Sequence, residues 1–172
     1  NSTGHLLAVG DLSIKDMDNS DGLIEGGANM TFTGTKLINN NGEIKGFGEG
    51  ERIHINLDRN AASSCEAAWG DPGDILTNGN IEIDADETSI YGILSAKGTI
   101  DIDSDYVAVQ TMLALGNIDI FSGGYFGAET TISDSEIYIE NTGQFRATEK
   151  LISSGLMTLK SQGHIIGYGE IT

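Results

Sequence analysis

Carboxylates are what this chain offers for chemistry, and they recur at fixed intervals. Glu82, Asp101 and Asp119 each stand between two isoleucines, in GNIEI (79–83), GTIDI (98–102) and GNIDI (116–120). Asp84 and Asp103 follow two residues later, with Asp86, Glu87 and Asp105 close behind. Oxygen ligands of this kind suit a hard divalent cation such as calcium. They also suit a basic partner, or a solvated face that keeps an all-β rod from aggregating. Stacked about 4.8 Å apart, like charges repel by roughly 1 kcal/mol even in water. Whichever role they serve must tolerate that cost.

A calcium loop is a specific pattern, and the chain does not complete one. Residues 16–22, DMDNSDG, begin it with oxygens at Asp16, Asp18 and Ser20, but glycine falls at the seventh place of the loop instead of the sixth. The twelfth place, where a bidentate Glu belongs, is Gly27. The segment reads as an ordinary turn. Calcium stays open for the acidic ladders alone, and no other cofactor is expected. His5, His54 and His164 are far apart, and HExxH, paired cysteines and a nucleophile elbow are all missing. Cys65 is alone, so it forms no internal disulfide and reads as a small buried hydrophobe. No catalytic residue is assigned.

Nine Lys and Arg against 26 Asp and Glu give a net charge of −17. Nucleic-acid phosphates need clustered cations, so that partner is excluded, and an anionic membrane surface is disfavoured. No apolar run approaches membrane-spanning length, and membrane insertion is not expected. The chain opens at Asn1 in mid-pattern and without an initiator Met, which gives the expectation of a fragment from a longer protein.

The elements that must position these acids follow from the repeat. GNIEI, GTIDI and GNIDI are joined by SEIYI (135–139) and GLMTL (155–159), with starts 19, 18, 19 and 20 residues apart. Apolar–x–apolar pairs mark the same unit at Leu12/Ile14, Met30/Phe32, Ile53/Ile55, Ile81/Ile83, Ile100/Ile102, Ile118/Ile120, Ile137/Ile139 and Met157/Leu159. Alternate residues of a strand share a face, so each pair points one way. Second short strands fall at Phe126-x-Ala128, Phe145-x-Ala147 and Ile165-x-Gly167, and third ones around Ile90, Val107/Val109, Ile132 and Leu151/Ile152. A unit of this length cannot bury its own apolar side chains, and stacking on its neighbours does so. The pattern predicts an all-β chain: a right-handed parallel β-helix, or solenoid, of about eight turns, on the order of 40 Å long. A β-sandwich would need hairpin signals throughout. Asn41-Gly42 and Asn78-Gly79 are the only Asn-Gly pairs, and both recur as turns of the longer period.

One interval breaks the rule. Ile53 to Ile81 spans 28 residues, and the excess is RNAASSCEAAWGDPGD, residues 59–74. Ser63 and Glu66 have capping-box spacing, Gly70 could end a helix and Pro72 prevents its continuation. The expectation is one short helical insertion with Ala62, Cys65 and Trp69 on one face. The chain then divides into regular repeats (1–56), a turn with the insertion (57–80) and degenerate repeats (81–172). Insertions on solenoids often mark the working face, so the partner contact is placed there. Trp69 serves as its apolar anchor, and Asp71, Asp74, Asp84 and Asp103 form its polar rim. The competing role for Trp69 is a plug that seals the insertion onto the rod. Tyr91, Tyr106, Phe121, Tyr125 and Tyr138 point outward in this register and could form a patch. Edge strands at the two ends of the fragment would favour end-to-end self-association.

Residues 22–56, GLIEGGANMTFTGTKLINNNGEIKGFGEGERIHIN, carry a resemblance. The run Leu37-x-Asn39-x-x-Gly42-x-Ile44-x-Gly46-x-Gly48, preceded by Gly22-x-Ile24-x-Gly26 and echoed by GHIIGYGEI (163–171), resembles the haemagglutinin-type repeats of two-partner-secretion exoproteins. That family includes filamentous haemagglutinin adhesins and contact-dependent growth inhibition effectors. The resemblance implies a secreted segment at the bacterial cell surface that is not an enzyme and meets a target-cell surface protein or glycan. Residues 75–161 keep the rung length, lose the Asn-x-x-Gly consensus and gain acids and aromatics, as a contact region would. A pure spacer is the alternative. A polysaccharide-active enzyme is the third reading, set against the short turns and few basic residues.

Overall fold

Alternation in the sequence becomes alternation between core and solvent. The computed structural model describes residues 4–68, 70–167 and 169–172. Every strand pairing within them is parallel, and the chain coils through three flat faces per turn. All eight apolar pairs follow one another in register on the first face, from Leu12↔Met30 and Met30↔Ile53 through Ile81↔Ile100 and Ile118↔Ile137 to Ile139↔Leu159. The paired residues 30–139 are fully buried, and Leu12, Ile14, Met157 and Leu159 pack on the same core at its ends. Burying one such side chain is worth about 1.5–3 kcal/mol, which is why the pair is the fixed part of each turn.

The second face carries Val107↔Phe126↔Phe145↔Ile165, with the Phe126 and Phe145 rings stacked 5.1 Å apart in the core. Ile90 and Val107/Val109 belong to this face, not to the third strand assigned them from sequence. Leu94, Met112 and Leu151 fill the interior of the third face. In the middle of the rod the faces run together, so that Asn80–Ala96, Ile100–Ala114 and Ile118–Ser133 are each one strand bent round the coil.

The expected helix at 59–74 does not form. A three-residue 3-10 turn, Arg59–Ala61, is capped by the Asp58 side chain, which accepts from the Asn60 N–H, and ends at Ala62 with φ 52°. Ser64–Ala67 is then a strand, with Cys65 and Ala67 inward. It pairs with 36–38 on one side and 87–90 on the other. A helix here would leave both neighbours with unpaired N–H and C=O groups along the second face. That ladder outweighs the capping-box signal, and the excess residues are two enlarged corners round an ordinary turn of the coil. Ala62 lies in an exposed corner, away from Cys65. Trp69 lies outside the described residues.

Corners explain the consensus. Asn19 and Asn39 are buried and stacked, the Asn19 amide donating to Asn39 Oδ1 at 2.7 Å. Asn39 Nδ2 donates in turn to the carbonyls of Gly42 and Asp74. The opening glycine of the acidic repeats is a corner too: Gly98 N–H donates to the Gly79 carbonyl and Gly116 N–H to that of Gly98.

Candidate functional site

On the first face the residues between the buried isoleucines point outward and stack. The register His54↔Glu82↔Asp101↔Asp119↔Tyr138 makes one row, and Asn56↔Asp84↔Asp103↔Phe121↔Glu140 the next. Both acidic rows therefore exist as the sequence spacing implies.

Arg59 holds the second row together. It leaves the corner after the first-face strand Arg52–Leu57 and extends along the rod over two further turns. Its Nη1 lies 3.0 Å from Asp103 and 3.4 Å from Asp84, its Nη2 3.1 Å from Asp105, and its Nε 3.8 Å from Asp86. Burial alone would lower the guanidinium's pKa; the hydrogen bond to Asp103 and the charges of Asp103, Asp84 and Asp105 outweigh it and raise the pKa. The first row has a weaker counterpart, Arg52 Nη1 on Glu82 at 3.0 Å, with His54 3.9 Å from the same carboxylate. Lys160 lies 3.7 Å from Glu140 at the end of the second row, whereas Asp101 and Asp119 have no ion pair among the described residues. Burial, then the charges of Asp119, Glu82 and Asp103, raise the pKa of Asp101, and burial and Glu136 raise that of Asp119. An open depression of about 340 Å³ lies over this surface, between His54, Asp101 and Phe121.

Among the described residues no group of three or more His, Cys, Asp or Glu converges as metal ligands do. In a parallel stack each turn presents its carboxylate in the same direction, so the oxygens line up without enclosing a centre. The four aspartates expected as a rim fall into two sets. Asp84 and Asp103 come together under Arg59. Asp71 and Asp74 lie at the corner between the second and third faces, where Asp74 accepts from the Ile93 N–H at 2.9 Å and Asp71 from the Asn41 side chain at 3.4 Å. The strand Ser64–Ala67 separates the two sets. Trp69, the expected anchor, is not among the described residues.

The outward aromatics also divide. Phe121 and Tyr138 sit on the first face with centroids 5.5 Å apart, and Lys160 Nζ stands 4.9 Å over the Tyr138 ring. Tyr106 and Tyr125 stack on the second face, 4.9 Å apart and 17° from parallel. Arg59 is the residue that sequence reasoning passed over. Its signal was present: one arginine at the break in the repeat, one turn before the first of the acids that need a counter-charge.

Compared with family models, with curated proteins and with solved structures, the chain shows no significant match.

Proposed function

We propose that this chain is a segment of a secreted filament of the bacterial cell surface that recognises a protein or glycan on a target cell, without catalysis. The observation that carries the reading is the change in surface chemistry along one face. The first-face rows begin with Ser13, Lys15, Thr31 and Thr33, then become Glu82, Asp84, Asp101, Asp103 and Asp119, drawn together by a cation from the preceding corner. A partner that slides along a uniform rod gains nothing from such a band, whereas one that docks at a single place does. The Asn-x-x-Gly corners of the first turns support the kinship with two-partner-secretion exoproteins.

Binding of fluorescently labelled protein to a panel of candidate target cells tests the reading. Wild type is expected to bind saturably. The triple variant Trp69→Ala, Asp84→Lys, Asp103→Lys, checked for its β-sheet circular dichroism, is expected to bind poorly. Undiminished binding by the folded variant moves the contact elsewhere on the rod. No saturable binding by wild type to any cell favours the spacer reading, which the regular turns of residues 12–57 suit.

A further inference from the structure

A second depression, of about 370 Å³, lies on the second face, and its walls differ from the rest of the surface. Its floor is built from small residues in register, Ala108↔Gly127, and the next residue of that row is Arg146. Tyr125 makes one wall. A Cβ at Gly127 would run into the Tyr125 ring, so the ring lies across the glycine. Stacking on Tyr106 fixes that ring from one side, and the next residue in its row is the non-aromatic Gln144. Tyr91, Gln110, Glu129 and Thr148 add polar groups to the lining.

Charge distinguishes this place. Glu129 and Arg146 are the only charged residues of the lining, so it is balanced within a chain of net charge −17. Arg52 and Arg59 are each taken up by carboxylates, whereas exposed Arg146 has none within 4.0 Å among the described residues. Glu129 and Arg146 thus face the same space without closing on each other.

From this geometry we propose that the second-face depression is a binding site for a neutral saccharide of about one or two rings; it rests on the surface-recognition reading and supplies that reading with a ligand class. A volume near the lower end of the roughly 300–1,000 Å³ usual for small-molecule sites sets the size. A pyranose has an apolar face that an aromatic ring can cover and a rim of hydroxyls that both donate and accept. The Tyr125 ring, the donors of Arg146 and Gln110, the acceptors of Glu129 and Gln110, and the Thr148 hydroxyl supply those complements. A peptide strand cannot add here, because the backbone of this face is already paired on both sides. A sugar carboxylate would gain Arg146 but meet Glu129 and the field of the whole rod.

Saturation-transfer NMR and calorimetry with glucose, galactose, mannose and N-acetylglucosamine, their β-linked disaccharides, and sialyllactose as the acidic probe test this directly. At least one neutral sugar is expected to bind saturably, sialyllactose more weakly than lactose. Arg146→Ala and Gln110→Ala change exposed or half-buried side chains and should each weaken binding by about tenfold, the worth of roughly one hydrogen bond to a charged or strongly polar group. Tyr125→Ala should abolish it. Absence of binding by every neutral sugar, affinity unchanged in both Arg146→Ala and Gln110→Ala, or preference for sialyllactose overturns the proposal. A polylysine peptide that displaces a bound sugar would place a basic partner in the site and also overturn it. Cell binding that persists without sugar binding overturns only this proposal; sugar binding by a protein that binds no cell overturns only the target-cell recognition reading.

Discussion

Arg59 and Asp103 are 44 residues apart in sequence and 3.0 Å apart in space. Between them the chain completes two turns of the coil, and the arginine also reaches Asp84, Asp86 and Asp105. One cation therefore offsets repulsion that the parallel register forces on four acids. Arg59→Ala should lower stability by about 1 kcal/mol at low salt, because its side chain is about a third exposed and solvent screens the pairs. Added salt should shrink that loss, since repulsion among the remaining aspartates is then screened as well. Urea unfolding of both proteins at low and high salt measures it, and a loss that grows with salt would contradict the role given to Arg59.

Much of this is legible in the sequence. The isoleucine pairs fix which residues face the core, because a shift by one residue would turn every pair to solvent. Asn39 and Gly42 mark a corner, because the buried amide bonds the turn above and the turn below. Residues 59–74 were misread for a local reason: capping-box spacing is a property of four residues, whereas the strand Ser64–Ala67 is dictated by partners at 36–38 and 87–90. The candidate surface was half legible. Row formation follows from the period, but the 3-10 turn that carries Arg59 and the left-handed Ala62 that ends it are announced by no pattern in the sequence.

Asp101 shows what the row costs. Burial and the charges of Asp119, Glu82 and Asp103 hold its carboxyl above the ordinary value of 3.8. The folded state therefore binds this proton more tightly than the unfolded state. Stability from this group is greatest below the ordinary value and is lost as pH rises through the folded pKa. Asp101→Asn should raise stability at neutral pH by about 0.3–0.5 kcal/mol, as expected for relieving an exposed like-charge contact. The gain should fade as pH drops through the carboxylate range. Thermal unfolding of the pair of proteins across that range provides the check, and a gain that persists in acid would mean that packing, not charge, is responsible.

Corner glycines differ sharply in what they tolerate. A Cβ at Gly79 would strike the carbonyl oxygen of Glu51 on the neighbouring turn, a backbone atom that cannot swing away. At Gly10 the same Cβ would meet nothing within 4 Å. Gly79→Ala should cost about 1–3 kcal/mol, the range for an inserted methyl without room. Gly10→Ala should stay within about 0.5 kcal/mol of wild type. Equal midpoints in chemical denaturation would mean that the corner relaxes and the turns are less tightly stacked than the contacts imply.

Cys65 reports on the stack from inside. It lies between Leu37 and Thr88 on the second face and is 1% exposed. Burial, and after it the charge of Glu66, push its thiol from 9.0 up to about 12. Only the thiolate is a good nucleophile, so the native protein should resist a maleimide in neutral buffer and react once unfolded. Because strands pair with Ser64–Ala67 on both sides, labelling in rising urea should follow the loss of β-sheet circular dichroism. The raised pKa also has a direction in alkali: the unfolded thiol ionises above about 9 while the folded one stays neutral, so stability should fall as pH climbs beyond that point. Cys65→Ala should remove this alkaline slope while lowering stability through the lost packing. Rapid labelling of protein whose circular dichroism is unchanged would show instead that the second face opens locally at the two enlarged corners.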